Sequence, residues 1–493
     1  MTAYTLGIDV GTTGTKTVLV NSEGGIAAQT TRESELFSPR AGYAEADPDS
    51  WRHNVVDSIR EVLLTSGVPA REVVGLATTG MVPAVLPIGA DGSPLRRAIL
   101  QNDARATDEI EDVAAALSGI DVVSLTGSAV TQQSVAPTAL WLQRNEPEVW
   151  AATAALMGSY DWILVSLGAE PHVEFNWALE SGLFTLDGEV LPDALEAGRI
   201  DSERLPRVLR PGEIAGALSD SAAAETGLLP GTPLVVGGAD HVLSAYAAGV
   251  ESPGDCLIKL GGAGDVLVAT DRPVVDSRLY LDAHPTPGRW LPNGCMATSG
   301  SLIRWFQKLI GGEELGRLDL EAQERAPASL LCLPYFLGEK SPLHDPDLRG
   351  AFFGLHLGHT RADLYRAVLE AIAFGFRHHV EVYREMGLDV SRVLVTNGGS
   401  KSTLWKQIHA DVLDTTLFPV TDHPGASLGA ALSAAVGVGA VDSWASSTQF
   451  VRLGSAVEPS PERSAEYSRA YAEWRELGEI TTPISHAIAR RIR

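Results

Sequence analysis

Cysteine and clustered positive charge are both scarce in this chain of 493 residues. Its three cysteines, Cys256, Cys295 and Cys332, are scattered and form no CxxC pair, so the sequence predicts neither a disulfide framework nor a zinc site. This usage is typical of a protein in a reducing cytoplasm. The formal net charge is −24 and Lys and Arg form no runs, which argues against nucleic acid or an anionic membrane as a partner.

Long apolar runs are missing as well. The sequence opens with MTAYTLGIDVG, which has neither the basic segment nor the apolar core of an export signal. No apolar stretch approaches the roughly 18–20 residues of a membrane span. We therefore expect a protein that is neither exported nor inserted into a membrane. Its 45% apolar and 20% charged residues are a composition typical of compact globular proteins.

The length predicts two domains, because single cores stop growing near about 250–300 residues. Residues 4–20 and 254–270 each place two β-rich runs around a turn of small residues, which predicts a hairpin at the start of each half and suggests an internal duplication. Strand-like runs alternate with helical patterns between them, so the predicted fold class is α/β. The boundary is expected within 246–253, which gives domains of 1–248 and 249–493.

The glycine-rich turns of these two hairpins are candidates for phosphate binding. Backbone amides in such turns approach an anion closely and hold phosphate without clustered Lys or Arg. In the first turn Thr12, Thr13 and Gly14 supply amides and hydroxyls. Lys16 supplies a cation there, and Asp9 is a candidate ligand for Mg²⁺, through water. A plain glycine hairpin is the alternative. The second turn repeats the pattern at Gly261, Gly262 and Gly264.

A third glycine element follows the strand-like segment 392–396. It contains Gly398, Gly399 and Ser400 and leads into a helix that opens near residue 402. A strand, a glycine turn and a helix form a layout that suits an adenosine ribose or a phosphate edge, because the helix N-terminus favours negative charge. The same layout is also a common connection between a strand and a helix. Neither a P-loop nor a dinucleotide-binding motif in a suitable βαβ unit is present.

Asp240 is the candidate catalytic base. It follows the strand-like segment TPLVVGG and stands at the start of an Ala-rich helix, so its carboxylate is expected at the carboxyl end of a strand. Phosphoryl transfer needs a residue that orients the acceptor hydroxyl and accepts its proton. The competing role is a helix N-cap, and position alone favours that role because Asp is common at helix starts.

Five segments resemble the FGGY family of carbohydrate kinases, and the resemblance covers nearly the whole chain. They are GIDVGTTGTK, GGAD, KLGGAG, PYFLGEKSP and TNGGSKSTLW. The stretch from Gly350 and Gly354 through Glu370 is similar to the family's C-terminal signature. The resemblance implies two actin-like lobes of ribonuclease H type with a nucleotide cleft between them, ATP and Mg²⁺ as cofactors, and a small-molecule sugar as substrate. The oligomeric state stays open, with a homodimer as one option.

The resemblance also implies roles for individual residues. It gives Asp240 the place of the family's catalytic aspartate, without excluding that the same side chain caps its helix. The other candidates fall on three loops. The first phosphate loop contains Asp9, Thr12, Thr13 and Lys16, the second contains Gly261 and Gly262, and the adenosine loop contains Gly398 and Gly399.

Within the family the pattern most resembles the xylulose kinases. The segments AEADPDSW and ILQNDARA are similar to their E-x-D-P-x-x-W and ILWNDGR. Met81 stands where those kinases carry a sugar-binding histidine, Gln101 replaces a tryptophan, and Asn176 opens NWA where they have Asp-x-Ser. We expect Asp103 and Asn176 to contact sugar hydroxyls. An unpaired buried hydroxyl costs about 1–3 kcal/mol, so these differences could redirect specificity.

The predicted function is ATP-dependent phosphorylation of a sugar hydroxyl, with D-xylulose as the leading ketopentose and Asp240 as general base. A kinase for another ketose, a polyol or a sugar acid is the main alternative. A non-catalytic actin-like ATPase that switches a protein interaction is another, and the signature through Glu370 argues against it. A sugar-binding regulator without catalysis is the third, and the intact Asp9 and Asp240 argue against that one.

Overall fold

The computed structural model describes residues 3–40 and 42–492, which form two compact units. Unit 1 contains the described residues up to Glu251 together with Asp271–Leu291 and Pro424–Val451. Unit 2 contains Ser252–Thr270, Pro292–His423 and the described residues from Arg452 onward. The chain thus passes between the units more than once, and the predicted division between residues 248 and 249 stays a prediction.

The described residues form 21 β-strands. They are β1 (Tyr4–Gly11), β2 (Gly14–Asn21), β3 (Ile26–Glu33), β4 (Glu45–Ala46), β5 (Val73–Gly80), β6 (Leu86–Ile88), β7 (Ala98–Ile99), β8 (Ala155–Met157), β9 (His172–Glu174), β10 (Arg207–Leu209), β11 (Ile214–Ala217), β12 (Pro233–Ala239), β13 (Asp255–Leu260), β14 (Gly264–Val268), β15 (Tyr280–Ala283), β16 (Trp290–Met296), β17 (Leu331–Leu333), β18 (Ala351–Phe353), β19 (Arg392–Thr396), β20 (Leu417–Thr421) and β21 (Arg452–Leu453).

The same residues form 16 α-helices. They are α1 (Pro48–Ser66), α2 (Thr107–Ala116), α3 (Val122–Thr126), α4 (Val135–Asn145), α5 (Pro147–Ala152), α6 (Ser159–Leu167), α7 (Phe175–Ser181), α8 (Pro192–Gly198), α9 (Asp220–Thr226), α10 (Asp240–Ala247), α11 (Gly300–Leu309), α12 (Leu315–Gln323), α13 (Arg361–Glu385), α14 (Thr403–Leu413), α15 (Ala426–Gly437) and α16 (Pro461–Ile492). In the described part of the chain, none of these helices has both the length and the apolar character needed to cross a membrane.

The main sheet of unit 1 has the strand order β11-β12-β5-β1-β2-β3. Strands β1 and β2 are antiparallel and pair from Tyr4 with Asn21 to Gly11 with Gly14, which confirms the first predicted hairpin. Strand β5 is parallel to β1 on one side and to β12 on the other. The carboxyl ends of these three strands therefore meet at one edge of the sheet, where parallel α/β sheets place their sites.

Helix α15 covers one face of this sheet, although it comes late in the chain. It is Ala-rich, and its residues from Ala426 through Ala435 are all buried. Gly7 in β1 is required by this packing, because a Cβ at that position would lie 1.9 Å from the carbonyl oxygen of Ser427. The hydroxyl of Thr5 donates a hydrogen bond of 2.8 Å to the carbonyl of Ala431. Helix and strand thus pack backbone to backbone.

The main sheet of unit 2 repeats this topology in the strands β16-β14-β13-β19-β20-β21. Strands β13 and β14 form the second predicted hairpin, β13 is parallel to β19, and β19 is parallel to β20. Across these strands of each sheet, three antiparallel strands that include the hairpin come first, two strands parallel to the inner hairpin strand come next, and an antiparallel strand forms the edge. The α/β class predicted from the alternating patterns is confirmed.

Helix α13 begins at a capping box formed by Thr360 and Asp363 in unit 2. The backbone amide and the hydroxyl of Thr360 donate to Oδ2 of Asp363, at 2.8 and 2.7 Å. Further along, Oε1 of the buried Glu370 accepts hydrogen bonds from Arg366 Nε and from the hydroxyl of Tyr467 in α16, both at 2.8 Å. Arg366 also donates to that hydroxyl at 2.9 Å. This buried network joins the two long helices.

Candidate active site

The first predicted phosphate turn lies between β1 and β2 in unit 1. Asp9 pairs in register with Lys16 across the hairpin. Burial lowers the pKa of the Lys16 ammonium, and the charge of Asp9 offsets part of that effect. Thr13 is exposed at the tip, whereas a Cβ at Gly14 would lie 2.5 Å from the carbonyl oxygen of Arg32. Gly14 is therefore required by close packing on β3, and the tip of the turn faces outward.

The hard oxygen donors of this turn fit a magnesium ion. They are the Asp9 carboxylate at the end of β1 and the hydroxyls of Thr12 and Thr13. Mg²⁺ prefers oxygen ligands, keeps several waters and is usually held by one or two carboxylates together with substrate phosphates. One carboxylate beside a turn that could hold phosphate matches that description.

Met81, the predicted substrate residue after β5, packs under the first turn. It is only 1% exposed, and the Thr12 hydroxyl donates to its sulfur at 3.9 Å. Its amide donates to the carbonyl of Val10 at 3.5 Å. The side chain that replaces the expected histidine therefore packs against the first predicted phosphate turn, and a contact between Met81 and the sugar stays a prediction.

The second predicted phosphate turn lies between β13 and β14 in unit 2. The amides of Gly300 and Ser301, at the start of α11, donate to the carbonyls of Gly261 and Gly262, at 2.8 and 3.0 Å. These bonds fix the turn against a helix N-terminus. A Cβ at Gly262 would meet no heavy atom within 4 Å, so this side of the turn borders open space.

A cavity of about 340 Å³ within unit 2 joins two of the predicted loops. Its lining includes Gly261 and Gly262 from the predicted phosphate turn and Gly398 and Gly399 from the predicted adenosine loop. Among the described residues that line it, Ser400 does not appear, and the Ser400 hydroxyl donates instead to the carbonyl of residue 397 at 2.7 Å. The size lies at the lower end of the roughly 300–1,000 Å³ range of ligand pockets.

Asp319 in α12 lines the same cavity and was not predicted from the sequence. Its two carboxylate oxygens accept hydrogen bonds from the hydroxyls of Tyr365, at 2.9 Å, and Ser402, at 2.7 Å. Ser402 in turn caps α14 by accepting from the amide of Trp405 at 3.0 Å. A Cβ at Gly399 would lie 2.1 Å from the Trp405 ring, so this wall of the cavity is tightly packed.

Asp240 is the first residue of α10 and directly follows β12 in unit 1. Ala239 takes the N-cap position, and no side-chain hydrogen bond caps this described terminus. The N-cap role that position alone favoured for Asp240 is therefore wrong, because β12 continues through Ala239 and the helix starts one residue earlier than a cap at Asp240 requires. The Asp240 side chain is 31% exposed. The carboxylate is thus accessible at the carboxyl edge of the sheet.

Three further titratable side chains gather beside Asp240. Nε2 of His241 lies 2.7 Å from Asp282 Oδ2 and 3.5 Å from Glu180 Oε1, and Nδ1 lies 3.4 Å from Asp240 Oδ1. Gln133 donates to Glu180 at 3.0 Å. Burial alone lowers the pKa of His241, but the Asp282 charge and the hydrogen bonds to both aspartates outweigh it, so that pKa lies well above its ordinary value.

The two predicted sugar contacts, Asp103 and Asn176, are engaged by the protein itself. The buried Asp103 carboxylate accepts from the Ala44 amide at 2.5 Å and from Arg105 Nη2 at 2.7 Å. The Asn176 side chain accepts from the amide of Ala283 at 2.7 Å and donates to its carbonyl at 3.1 Å, which ties α7 to β15. These bonds give both residues a structural role, and direct sugar contacts stay predictions.

Comparisons with known proteins decide the family. The N-terminal domain model of the FGGY family of carbohydrate kinases matches residues 4–247, and its C-terminal domain model matches residues 256–438. A solved xylulose kinase from Rhodospirillum rubrum is 39% identical and superposes with a TM-score of 0.90, over 98% of this chain and 100% of that one. The chain belongs to the FGGY family of carbohydrate kinases.

Two curated FGGY relatives extend the comparison over nearly the full length. Xylulose kinase of Bacillus subtilis (strain 168) is 28% identical over 98% of both chains. Gluconokinase of the same strain is 25% identical over 95% of this chain and 94% of its own. The predicted two-domain FGGY fold is confirmed, and this chain is a sugar kinase that takes ATP and a small-molecule sugar as substrates.

Proposed function

We propose that this FGGY kinase transfers the γ-phosphoryl group of ATP to a hydroxyl of a ketopentose, with D-xylulose as the first candidate. The choice of sugar rests on the 39% identity to the Rhodospirillum rubrum xylulose kinase over 98% of this chain. The full-length match to the Bacillus subtilis xylulose kinase supports the same choice.

Asp240 is the proposed general base. It would orient the acceptor hydroxyl and accept its proton while the sugar oxygen bonds to the γ-phosphorus, the bond to the β,γ-bridging oxygen breaks, and ADP leaves. The ionised form of Asp240 is required for this role. Its accessible carboxylate at the carboxyl edge of the sheet supports the assignment, since 31% of the side chain is exposed.

The glycine turns are the proposed phosphate contacts of the nucleotide, and the cavity of unit 2 is the proposed site of its nucleoside. A bound Mg²⁺ supplies positive charge that neutralises the transferring phosphates. Met81, Asp103 and Asn176 remain in the proposal as residues that shape the sugar site. The proposed nucleotide contacts are Thr12, Thr13, Gly14, Lys16, Gly261, Gly262, Gly398, Gly399 and Ser400, with Asp9 as the magnesium ligand.

A substrate panel tests this proposal. The purified enzyme is mixed with MgATP and ketoses, polyols or aldonates; ADP release is measured and products are identified by mass spectrometry. We expect D-xylulose to give the highest kcat/KM. Asp240→Asn should bind ATP normally and lose at least about 100-fold in kcat. Asp201→Asn, at an Asp side chain 76% exposed in unit 1, is the matched control. Near-normal turnover of the Asp240 variant would remove Asp240 from the role.

A sugar acid is the second candidate substrate. The gluconokinase relative covers nearly the whole chain, and Met81 replaces the histidine expected to contact a ketose. Preferential phosphorylation of gluconate in the same panel would favour a sugar acid as the substrate. Hydrolysis of ATP without any phosphorylated sugar would instead favour the nucleotide-dependent switch.

Cellular location and assembly complete the proposal. The three cysteines are free thiols, and burial raises the pKa of Cys256 and of Cys295 to about 12, so neither is a reactive thiolate. This supports a cytoplasmic enzyme. A homodimer is tested by light scattering coupled to size-exclusion chromatography, where a mass of one chain would exclude it under those conditions.

A further inference from the structure

A buried group of charged side chains in unit 1 lies directly behind Asp240 and has no role in the proposed reaction so far. The side chains of Asp282, Glu180 and His241 are 0%, 4% and 14% exposed. Charged groups are rarely buried this deeply unless they are paired, because removing them from water is costly. The group therefore calls for a physical account.

The hydrogen-bond geometry places His241 as a bridge between two aspartates. Its Nε2 lies 2.7 Å from Asp282 Oδ2, which is the length of a charge-assisted bond. Its Nδ1 lies 3.4 Å from Asp240 Oδ1. When the imidazole carries both protons, each ring nitrogen is a donor. Nε2 then donates to the buried carboxylate of Asp282, and Nδ1 donates to the accessible carboxylate of Asp240.

The charges around the ring come from a small set of residues. Asp282 faces it from β15, Glu180 from α7, and Asp240 from its own helix. Burial raises the pKa of Glu180, as does the nearby Asp282 charge, so Glu180 tends toward its neutral form. Glu174, at the start of α7, has a pKa of about 7, mainly because it is buried. Strands β5 and β12 and helix α15, the main elements packed against α10, contain no titratable side chains.

We propose that His241 is a positioning residue for phosphoryl transfer, which fixes the Asp240 carboxylate through Nδ1–H while Asp282 fixes the ring from behind. The inference rests on the proposed role of Asp240 as the base. The bridge limits the rotamers of Asp240, and its positive charge favours the ionised carboxylate that the base must be.

A proton, rather than a metal ion, is assigned to the gap between His241 and Asp282. One ligand atom each from Glu180, His241 and Asp282 lie within 4.8 Å of one another, which a cation would also accept. The 2.7 Å contact between Nε2 and Oδ2 is, however, a hydrogen-bond distance, and a protonated nitrogen has no lone pair for a metal.

Two amide variants distinguish the roles of the two ring nitrogens of His241. The amide nitrogen of Asn mimics Nδ1, so His241→Asn keeps the donor to Asp240 and loses the bond to Asp282. The amide nitrogen of Gln mimics Nε2, so His241→Gln keeps the bond to Asp282 and loses the donor to Asp240. We expect kcat to fall roughly 10- to 100-fold in His241→Gln with little change in sugar KM, and clearly less in His241→Asn.

Stability should follow the opposite order. His241→Gln retains the partner of the buried Asp282, so it should melt at a higher temperature than His241→Asn. A merely structural histidine predicts that activity follows stability. If the variant with the higher melting temperature also has the higher kcat, the proposal is overturned.

The pH profile of kcat/KM provides a second readout. His241→Gln removes the positive charge beside the Asp240 carboxylate, so the acidic limb should move to higher pH by about one unit. Asp282→Asn keeps an acceptor for Nε2 but lowers the pKa of His241, and should move the limb in the same direction by less. A limb that stays at the wild-type pH in both variants overturns the proposal.

The failures of the inference and of the proposed function are distinguishable. If Asp240→Asn retains turnover, Asp240 is not the base, and both the proposed function of Asp240 and the inference about His241 are wrong. If Asp240→Asn is inactive while His241→Gln matches the wild type in kcat and pH profile, only the inference falls. Titration of the His241 ring by NMR needs no enzymatic activity, and the pKa of His241 should drop in Asp240→Asn. An unchanged pKa overturns the proposed hydrogen bond between His241 and Asp240. A stoichiometric metal ion that is present in the purified wild type and absent from His241→Gln also overturns it.

Discussion

Alanine at Gly262 and alanine at Gly399 should separate ATP binding from folding within unit 2. Both glycines line the same cavity, so the pair is matched in location. A Cβ at Gly262 meets no heavy atom within 4 Å, whereas a Cβ at Gly399 would lie 2.1 Å from the ring of Trp405 and 2.6 Å from the Cβ of Leu260. The first methyl group projects into open space beside the cavity, and the second collides with a buried wall.

The expected magnitudes follow from these distances. Overpacking a well-packed core costs about 1–3 kcal/mol, so Gly399→Ala should lower the free energy of unfolding by that amount. Gly262→Ala should leave this free energy nearly unchanged. Its methyl group keeps phosphate away from the backbone amides, and a lost hydrogen bond to a charged group is worth about 1.5–3 kcal/mol. Such a loss corresponds to an increase of roughly 10- to 150-fold in the KM for ATP.

Chemical unfolding and ATP titration of the two variants provide the measurement. We expect a lower unfolding midpoint only in Gly399→Ala, and a normal midpoint with weak ATP binding in Gly262→Ala. Wild-type ATP affinity in Gly262→Ala would refute the assignment of this turn to phosphate. An unchanged midpoint in Gly399→Ala would show that the Trp405 ring yields without cost.

Three further predictions address stability, pH and specificity. Tyr467→Phe removes the hydroxyl shared by the buried Arg366 and Glu370, so urea unfolding should show a loss of about 1–3 kcal/mol, and an unchanged midpoint would contradict it. Burial raises the pKa of Glu174 from 4.5 to about 7, so the folded state binds more protons than the unfolded state, and the free energy of unfolding should fall by roughly 3 kcal/mol between pH 4.5 and 7. Glu174→Gln should flatten this slope, and equal slopes of stability against pH in the variant and the wild type would contradict the reasoning. Met81→His should raise kcat/KM for D-xylulose about fivefold relative to gluconate, and an equal change for both sugars would argue against a contact at this position.

Features governed by local chemistry could be predicted from the sequence. Both hairpins are encoded by β-rich runs around small residues, and the start of α13 by Thr360 and Asp363 three positions apart. Local rules failed at the start of α10. The pattern marked a helix after β12, but the register of its first turn depends on how far the strand extends, and Ala239 rather than Asp240 takes the cap position.

The partners of the candidate site could not be predicted, because tertiary folding brings them together from distant segments. Asp319 lies in a helix with no motif, and Glu180 and Asp282 meet only through the packing of α7 and β15 beside α10. The motif residues Asp103 and Asn176 illustrate the converse. Their identity suggested sugar contacts, but their hydrogen-bonding groups are engaged by neighbouring protein groups that no spacing rule reveals.

The late position of α15 has a consequence for how the chain is made. Gly7 and Thr5 lie in β1, but the helix that packs on them follows more than 400 residues later in the chain. The part of the sheet face that α15 covers therefore stays exposed until residues 426–437 have been made, and a chaperone or a neighbouring nascent chain has access to it until then. A fragment cut near residue 248 would keep that bare apolar face, so soluble expression of the N-terminal half requires that Ala426–Gly437 be supplied as well.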